Sequence, residues 1–134
     1  MCLPDGEARL ICGVGVDLVE TSRMAGAFSR HGERLVRRVC IPTESDLVFK
    51  NAAPVFKLSE IFAIKEAVMK ALGTGMRGVG WKEIRTDAGQ EGPVDRLLSG
   101  RALSVARGKG VERYALSVTV SHELAIATVL LDQA

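Results

Sequence analysis

The chain of 134 residues has the length of one domain, since domains most often run to about 100–150 residues. Hydrophobic residues make up 47% and charged residues 25%, a composition that excludes an intrinsically disordered chain. The net charge of +2 is too small to indicate a nucleic-acid-binding protein. We therefore expect a single domain over residues 1–134, with a loosely ordered N-terminus over residues 1–9.

The cysteines and the apolar runs indicate a cytoplasmic protein. Cys2, Cys12 and Cys40 are odd in number and lack CxxC spacing, which disfavours both a disulfide framework and a zinc site. Pro4 and Asp5 stand where a signal peptide would need its apolar core. The apolar runs are far shorter than the roughly 20 residues that cross a bilayer. We expect no membrane and no nucleic-acid partner.

The N-terminal half is predicted to contain one strand and then four helices. β-Branched residues interrupted by glycine predict a buried strand with close backbone neighbours. Apolar residues at helical spacing predict the helices, and Gly32 separates the first two. The predicted ranges are a strand over 10–16 that ends at Asp17, and helices over 20–30, 33–40, 43–50 and 55–72, the last stopping at Gly73.

The C-terminal half is predicted to be mainly β. Residues 81–86 are expected to form a strand, residues 89–93 a turn, and residues 101–107 a short helix closed by Gly108. Alternating apolar residues between 114 and 131 predict two strands joined through Ser121-His122-Glu123-Leu124. The predicted fold class is α+β, with a long helix packed on a small, mainly antiparallel sheet.

Two acidic residues near the first strand are candidates for chemistry. Asp17 follows a run of apolar and glycine residues, so its carboxylate either bonds to nearby backbone or holds a cation. Glu20 fits equally well as a residue of the first turn of the next helix, where the helix dipole favours a negative charge.

The long helix carries Lys65, Glu66 and Lys70. Glu66 and Lys70 are spaced to share a helix face and to form an ordinary surface ion pair. The alternative is a ligand site, because small and glycine residues leave room for another backbone or a ligand. These small residues are Ala63, Ala67, Ala71, Gly73, Gly75, Gly78 and Gly80.

Three further residues have both a structural and a functional interpretation. His122, after Ser121, lies between apolar strands, where a histidine is more often structural than catalytic. Pro93 is first of all a turn residue. Arg23 and Arg30 are spaced to lie on one helix face, which is either a solvated surface or a surface that attracts an acidic partner.

Three sequence strings together identify a family resemblance. They are VGVDLVE at 14–20, FAIKEAVMKALGTG at 62–75 and SVTVSH at 117–122. Their order resembles the holo-acyl-carrier-protein synthase family of 4′-phosphopantetheinyl transferases, over residues 10–131 and at the length of the short, single-repeat members. The resemblance implies the transferase fold of that family. It also implies Mg²⁺-dependent transfer of 4′-phosphopantetheine from coenzyme A to a serine of an apo acyl carrier protein, releasing adenosine 3′,5′-bisphosphate.

The resemblance also implies roles for particular residues. Asp17 and Glu66 would hold the Mg²⁺, a site that Mn²⁺ also suits, and would act in catalysis together with Lys70. Arg23 and Arg30 would bind the carrier protein, which is acidic in this family. The family's coenzyme A ligands fall on Lys65, Lys70, Gly73, Thr74, Gly75, Pro93, Ser121 and His122. Short members form homotrimers with active sites between subunits, and the same is expected here.

The sequence departs from the family pattern at two positions of the long helix. Ile61 replaces a basic residue, and Met69 stands where relatives often have serine. If the missing cation normally contacts a phosphate, Lys57 and Lys65 are the nearest substitutes. These departures leave open a catalytically impaired paralogue that binds coenzyme A or a carrier protein. A purely structural protein, whose helix carries only a surface ion pair, is the third alternative.

Overall fold

The computed structural model describes residues 10–75 and 77–133 and contains a four-stranded sheet in the order β1-β4-β3-β2. Every pairing in this sheet is antiparallel. The strands are β1 (Ile11–Glu20), β2 (Glu91–Pro93), β3 (Arg113–Val120) and β4 (Leu124–Asp132). The helices are α1 (Thr21–Val39), α2 (Pro42–Lys50), α3 (Pro54–Leu72), α4 (Val94–Leu97) and α5 (Gly100–Gly108), with a 3₁₀ turn at Trp81–Glu83. The predicted α+β class is confirmed.

The long helix α3 lies directly against β1 because two glycines of the strand face it. A Cβ added to Gly15 would lie 1.8 Å from the carbonyl oxygen of Ala67, and one added to Gly13 would lie 2.1 Å from that of Ala71. Any side chain here would force the backbones apart. The glycine-interrupted strand and the alanines of α3 therefore form the close backbone contact that the sequence predicted.

Alternation along β1 sends its residues to two different environments. Gly13, Gly15 and Asp17 face α3. The side chains between them, Val14 and Val16, are more than half exposed on the other face of the sheet. One face of the sheet thus forms the core with α3, whereas the other leaves apolar side chains uncovered.

The first helical region is interrupted at the predicted place. Gly32 has φ 43° and ψ −121°, so α1 contains a kink between its two halves. A left-handed φ favours glycine, which explains why the helical pattern breaks at this residue. The ends of α2, α3 and α5 lie within a few residues of the predicted ends, and α3 stops at Gly73 in the left-handed conformation.

The predicted strand at residues 81–86 is wrong. The chain forms a 3₁₀ turn at Trp81–Glu83, and Ile84 makes only an isolated bridge to Leu98. Glu83 explains the difference, because its carboxylate accepts a hydrogen bond from the backbone N–H of Gly80 at 2.7 Å. This local bond stabilises the turn in place of an extended strand.

Two other predicted elements also differ from the structure. β1 runs on to Glu20, so Asp17 lies within the strand and not at its end. Part of the predicted turn at residues 89–93 is the short strand β2, which pairs with β3, and α4 follows it directly. The two C-terminal strands and their connection through residues 121–123 are confirmed.

The predicted N-terminal segment 1–9, including Cys2, lies outside the described residues. Cys12 and Cys40 are free thiols. None of the helices in the described ranges is long and apolar enough to span a bilayer.

Candidate active site

Asp17 and Lys70 form the centre of the candidate site. Asp17 follows Gly15 on the face of β1 that contacts α3, so its carboxylate points towards the helix. Lys70 Nζ donates to Asp17 Oδ1 at 2.7 Å and to the carbonyl oxygen of Val16 at 3.3 Å. Asp17 is 11% exposed and Lys70 51% exposed, so the pair lies at the edge of the core with its ammonium in solvent. The hydrogen bond to Asp17 raises the pKa of Lys70, which keeps it a cation.

Glu66 brings a second carboxylate close to this pair. It lies one helical turn before Lys70 and is half-buried. Burial raises the pKa of Glu66 above its usual value, and repulsion from Asp17 adds to the increase, while Lys70 partly offsets it. The two carboxylates therefore affect each other electrostatically, although they come from different elements of the fold.

The two carboxylates line one cleft of about 390 Å³. It lies between the end of β1, both halves of α1 and α3. Its other lining residues are acidic, basic and apolar: Leu18, Val19, Glu20, Arg23, Met24, Ala27, Leu35 and Phe62. Sequence analysis predicted Glu20 and Arg23 as candidates but missed the apolar wall, whose residues follow the helical spacing of an ordinary core.

The carboxylate pair fits a magnesium ion by its chemistry. Within residues 10–75 and 77–133, no group of three or more His, Cys, Asp and Glu side chains is arranged to hold a metal. Mg²⁺ does not require such a cage, because it usually takes one or two carboxylates and completes its coordination with water and substrate phosphate. Asp17 and Glu66 are oxygen donors of this kind and lie beside a cleft large enough for a substrate group.

Lys65, predicted to contact coenzyme A, lies in the interior of the subunit. Its ammonium is fully buried and donates three hydrogen bonds inside the protein, to Glu44, Val39 and Trp81. An ammonium has only three donors, so none remains for a phosphate. Sequence analysis missed Glu44, which was read as part of a helix start.

The two departures from the family pattern are both core residues. Ile61 is 1% exposed and Met69 2% exposed, so both side chains pack in the interior. Lys57, one turn before Ile61, is 27% exposed and pairs with Glu60 at 3.5 Å. Of the two suggested substitute cations, Lys57 alone has access to solvent.

The glycine segment after α3 adopts the turn that its sequence predicted. Gly73 and Gly75 have φ values of 75° and 56°, in the left-handed region. The N–H groups of Gly73 and Thr74 already donate to carbonyls of the last turn of α3. These two N–H groups therefore close the end of the helix, and the segment lies next to Lys70.

The remaining predicted coenzyme A ligands lie elsewhere on the protein. Ser121 Oγ accepts hydrogen bonds from the N–H groups of Glu123 and Leu124, so it stabilises the β3–β4 turn. His122 is exposed, packs edge-on against Phe56 with ring centroids 5.7 Å apart, and lines a separate groove of about 320 Å³.

Pro93 lines a third cavity, of about 330 Å³, at the start of α4. The structure thus brings Asp17, Glu66 and Lys70 together, whereas Pro93 and the residues of the β3–β4 turn line other surfaces of the same subunit.

The basic residues of α1 lie beside the carboxylate cleft. Arg23 lines the cleft itself and Arg30 is exposed further along the helix. After the kink, Arg34 and Arg38 line a small cavity of about 210 Å³ with His31 and Leu35. Leu35 also lines the carboxylate cleft, so this basic surface continues into the candidate site.

Two carboxylates from a strand and a helix line one cleft, and a lysine is paired with the first of them. This set suits an enzyme that acts on phosphate groups with a divalent cation. The sequence model of the 4′-phosphopantetheinyl transferase superfamily matches residues 13–123. The chain belongs to this superfamily, as its three motif strings predicted.

Related sequences and solved structures agree with this assignment to the superfamily. The chain is 38% identical over 124 residues to the holo-[acyl-carrier-protein] synthase of Koribacter versatilis, covering 92% of this chain and 99% of that one. The crystal structure of the Neisseria meningitidis holo-[acyl-carrier-protein] synthase matches with a TM-score of 0.76 and 30% identity, covering 91% and 98% of the two chains. The Chronobacterium ammoniagenes synthase in complex with coenzyme A matches with a TM-score of 0.65 and 25% identity, covering 96% and 99%.

Proposed function

We propose that the protein transfers 4′-phosphopantetheine from coenzyme A to a serine hydroxyl of an apo acyl carrier protein, in a Mg²⁺-dependent reaction. The observation that supports this most directly is that Asp17 and Glu66, from two elements, line one cleft, with Lys70 paired to Asp17 at 2.7 Å. The relatives named holo-[acyl-carrier-protein] synthase support an acyl carrier protein as acceptor, and the related synthase solved with coenzyme A supports coenzyme A as donor.

In the proposed reaction, the serine oxygen attacks the phosphorus that carries pantetheine. A new P–O bond forms to the serine, and the bond from this phosphorus to the bridging oxygen of the pyrophosphate breaks. The bridging oxygen keeps the electron pair and leaves as part of adenosine 3′,5′-bisphosphate. The serine proton needs an acceptor, and the leaving group needs compensation of its growing negative charge.

Glu66 is the proposed proton acceptor. Its carboxylate lines the cleft, and burial and the neighbouring Asp17 raise its pKa in the ion-free protein. Lys70 is unsuited to this role because its pKa is raised and it stays protonated. Its exposed ammonium instead provides a fixed positive charge for the phosphate oxygens.

Asp17 and Glu66 are the proposed ligands of the Mg²⁺ ion. When bound, this ion would neutralise the pyrophosphate oxygens and stabilise the charge of the leaving group. Lys70 holds Asp17 at 2.7 Å in the present arrangement, which orients that carboxylate along the cleft.

Homotrimer formation is part of the proposal and is supported by the uncovered face of the sheet. Large apolar side chains on this face or at the edge of its first strand are strongly exposed: Leu10, Ile11, Val14, Val16, Leu18 and Ile126. A contiguous apolar surface of this kind is typical of a subunit interface. Assembly could bring Ser121, His122 and Pro93 of one subunit to the carboxylate cleft of another, which would reconcile their separation with a role in binding coenzyme A.

The test of the transferase function is a mass measurement on the carrier protein. We expect a gain of one phosphopantetheine group when the protein is incubated with coenzyme A, Mg²⁺ and an apo carrier of the fatty-acid or polyketide type. A carrier whose acceptor serine is changed to alanine and a reaction with excess chelator are the controls. Binding of coenzyme A without any mass gain on any carrier would favour the impaired, ligand-binding alternative.

A further inference from the structure

A second lysine of α3 forms an ion pair that has no place in the proposed chemistry. Lys65 and Glu44 are both fully buried, with Nζ and Oε1 2.6 Å apart. Buried charges are unfavourable unless they are paired and fully hydrogen-bonded. This pair meets that demand, because Lys65 Nζ also donates to the carbonyl oxygens of Val39 at 2.7 Å and of Trp81 at 3.0 Å.

Glu44 extends the connection to further segments. Its Oε1 also accepts from the N–H of Ile41 at 2.9 Å. Its Oε2 accepts from the N–H of Thr86 at 2.9 Å and from the hydroxyl of the same residue at 2.5 Å. One ion pair therefore joins the end of α1, the start of α2, the middle of α3 and the segment that follows the 3₁₀ turn.

One of these connections supports a wall of the carboxylate cleft. The Trp81 ring packs on Phe62, with ring centroids 4.9 Å apart. Phe62 lines the cleft beside Glu66. The bond from Lys65 to the carbonyl of Trp81 thus fixes the backbone of a residue that supports the cleft wall.

The same bond holds one end of the glycine segment. Residues 73–80 connect α3 to the 3₁₀ turn at Trp81. At the α3 end, the ammonium of Lys109 donates to the carbonyl of Leu72. At the other end, Lys65 holds Trp81, so the position of the segment relative to Glu66 and Lys70 depends on Lys65.

A further connection supports the opposite wall. Val39 is the last residue of α1, and Leu35, one turn earlier, lines the cleft. Lys65 binds the carbonyl of Val39, and so it fixes the second half of α1 relative to α3. A hydrocarbon side chain could fill the same space, but it could not orient two carbonyl groups from separate segments.

We propose that Lys65 and Glu44 are positioning residues for the transfer reaction, which hold the glycine segment and both walls of the cleft in register with Glu66. This inference rests on the proposed function. The pair touches no substrate, so its effect is on geometry. A displacement of about 1 Å at a reacting centre can reduce a rate about a hundredfold.

The test compares Lys65→Met and Glu44→Gln with the control Lys50→Met. The control removes an exposed lysine from the last turn of α2, the helix that carries Glu44. Glu44→Gln is the milder change, since its amide oxygen can still accept from Lys65. Thermal unfolding by circular dichroism identifies a temperature at which each variant is folded, and kinetics are measured there. Should Lys65→Met not fold at any useful temperature, Glu44→Gln provides the kinetic result.

We expect kcat/KM for coenzyme A to fall about tenfold or more in Lys65→Met, while KM for the carrier changes less than about twofold. Glu44→Gln should show the same split at smaller size, and Lys50→Met should match the wild type. Trp81 is the only tryptophan of the chain, so its fluorescence reports the 3₁₀ turn directly. Its quenching by acrylamide should increase in both network variants and not in the control.

Folded network variants with wild-type kcat/KM for coenzyme A would overturn the inference, and so would a loss confined to KM for the carrier with unchanged Trp81 quenching. If the wild-type protein itself transfers no phosphopantetheine, the proposed function fails and the inference fails with it. Transfer by the wild type together with undiminished variants contradicts the inference alone.

Discussion

Two lysine–carboxylate pairs on α3 have almost the same length but lie in opposite environments. Lys65 and Glu44 are 2.6 Å apart and fully buried, whereas Lys70 and Asp17 are 2.7 Å apart and the lysine is 51% exposed. The first pair is saturated by protein groups. The second leaves its ammonium in solvent beside a cleft that contains another carboxylate.

The environment, more than the distance, determines what each pair can do. In a dry interior a charge pair is strongly coupled, and losing one partner leaves an uncompensated charge. At the surface the same pair adds little stability, but its groups are available to a substrate. We therefore assign structure and positioning to the Lys65 pair, and chemistry to the Lys70 pair. The following predictions test this division.

The largest expected effect is the loss of activity when a carboxylate of the exposed site is neutralised. Asp17→Asn and Glu66→Gln should each lower kcat by at least about a hundredfold. Each removes a proposed ligand of the Mg²⁺ ion, which would stabilise the negative charge at the phosphate. The unfolding temperature of Glu66→Gln should not fall together with its activity. Its folded-state pKa is raised, so its ionised form opposes folding at neutral pH, and this cost disappears as the pH falls through that pKa. Glu66→Gln should therefore unfold at the same or a higher temperature than the wild type. A strong loss of stability in either variant would contradict a mainly chemical role.

The next effect concerns the free energy of unfolding of the two lysine variants. Lys65→Met should lower it by about 3–5 kcal/mol, because the carboxylate of Glu44 remains buried without its partner. Lys70→Met should lower it by about 1 kcal/mol or less, since the ammonium is exposed. Urea unfolding of both variants measures the difference. Similar losses for the two lysines would remove the basis of the comparison.

The sequence predicted the exposed pair far better than the buried one. Asp17, Glu66 and Lys70 could be identified because their motif strings resemble a family, and the glycines of β1 indicated close contact with a helix. Glu44 could not be identified, since nothing local shows that a carboxylate at a helix start will meet a lysine of another helix. Lys65 was assigned to coenzyme A for the same reason: its position in the motif says nothing about which way its side chain points.

Trp81 and Val16 show two further limits of the sequence. A hydrogen bond from Gly80 to the Glu83 side chain turned a predicted strand into a 3₁₀ turn. The apolar residues of β1 predicted a buried strand, yet Val16 is 52% exposed in the isolated chain. Apolar alternation cannot distinguish a face covered by the same chain from one available to another subunit.

Ile61 tests whether the buried side of α3 tolerates a charge that has no partner. It is 1% exposed, so Ile61→Arg should lower the free energy of unfolding by several kcal/mol, as expected for an unpaired charge in a core. We expect no gain in coenzyme A affinity, because the side chain points into the interior. Calorimetric titration with coenzyme A and thermal unfolding of the same variant measure both quantities. Tighter binding with an unchanged melting temperature would show instead that the position faces the nucleotide, as the basic residue of the family pattern suggests.

The smallest effect is expected from the exposed charges of α1, which neither pair on α3 involves. Arg23 lines the cleft and Arg30 is exposed on the same helix, and we expect them to attract an acidic carrier protein. Arg23→Glu should raise KM for the carrier about fivefold and leave KM for coenzyme A unchanged, since charges at the edge of an interface mainly affect encounter. The wild-type KM for the carrier should rise with salt, because exposed charges are screened beyond about 8–10 Å at physiological ionic strength.

Arg107→Glu on α5 is the matched control, as it makes the same change of net charge at another exposed position. Equal effects of the two substitutions would mean that overall charge, and not a surface on α1, attracts the carrier. A carrier KM independent of salt would indicate that apolar contacts, such as those offered by Leu35 between the cleft and the basic cavity, dominate docking.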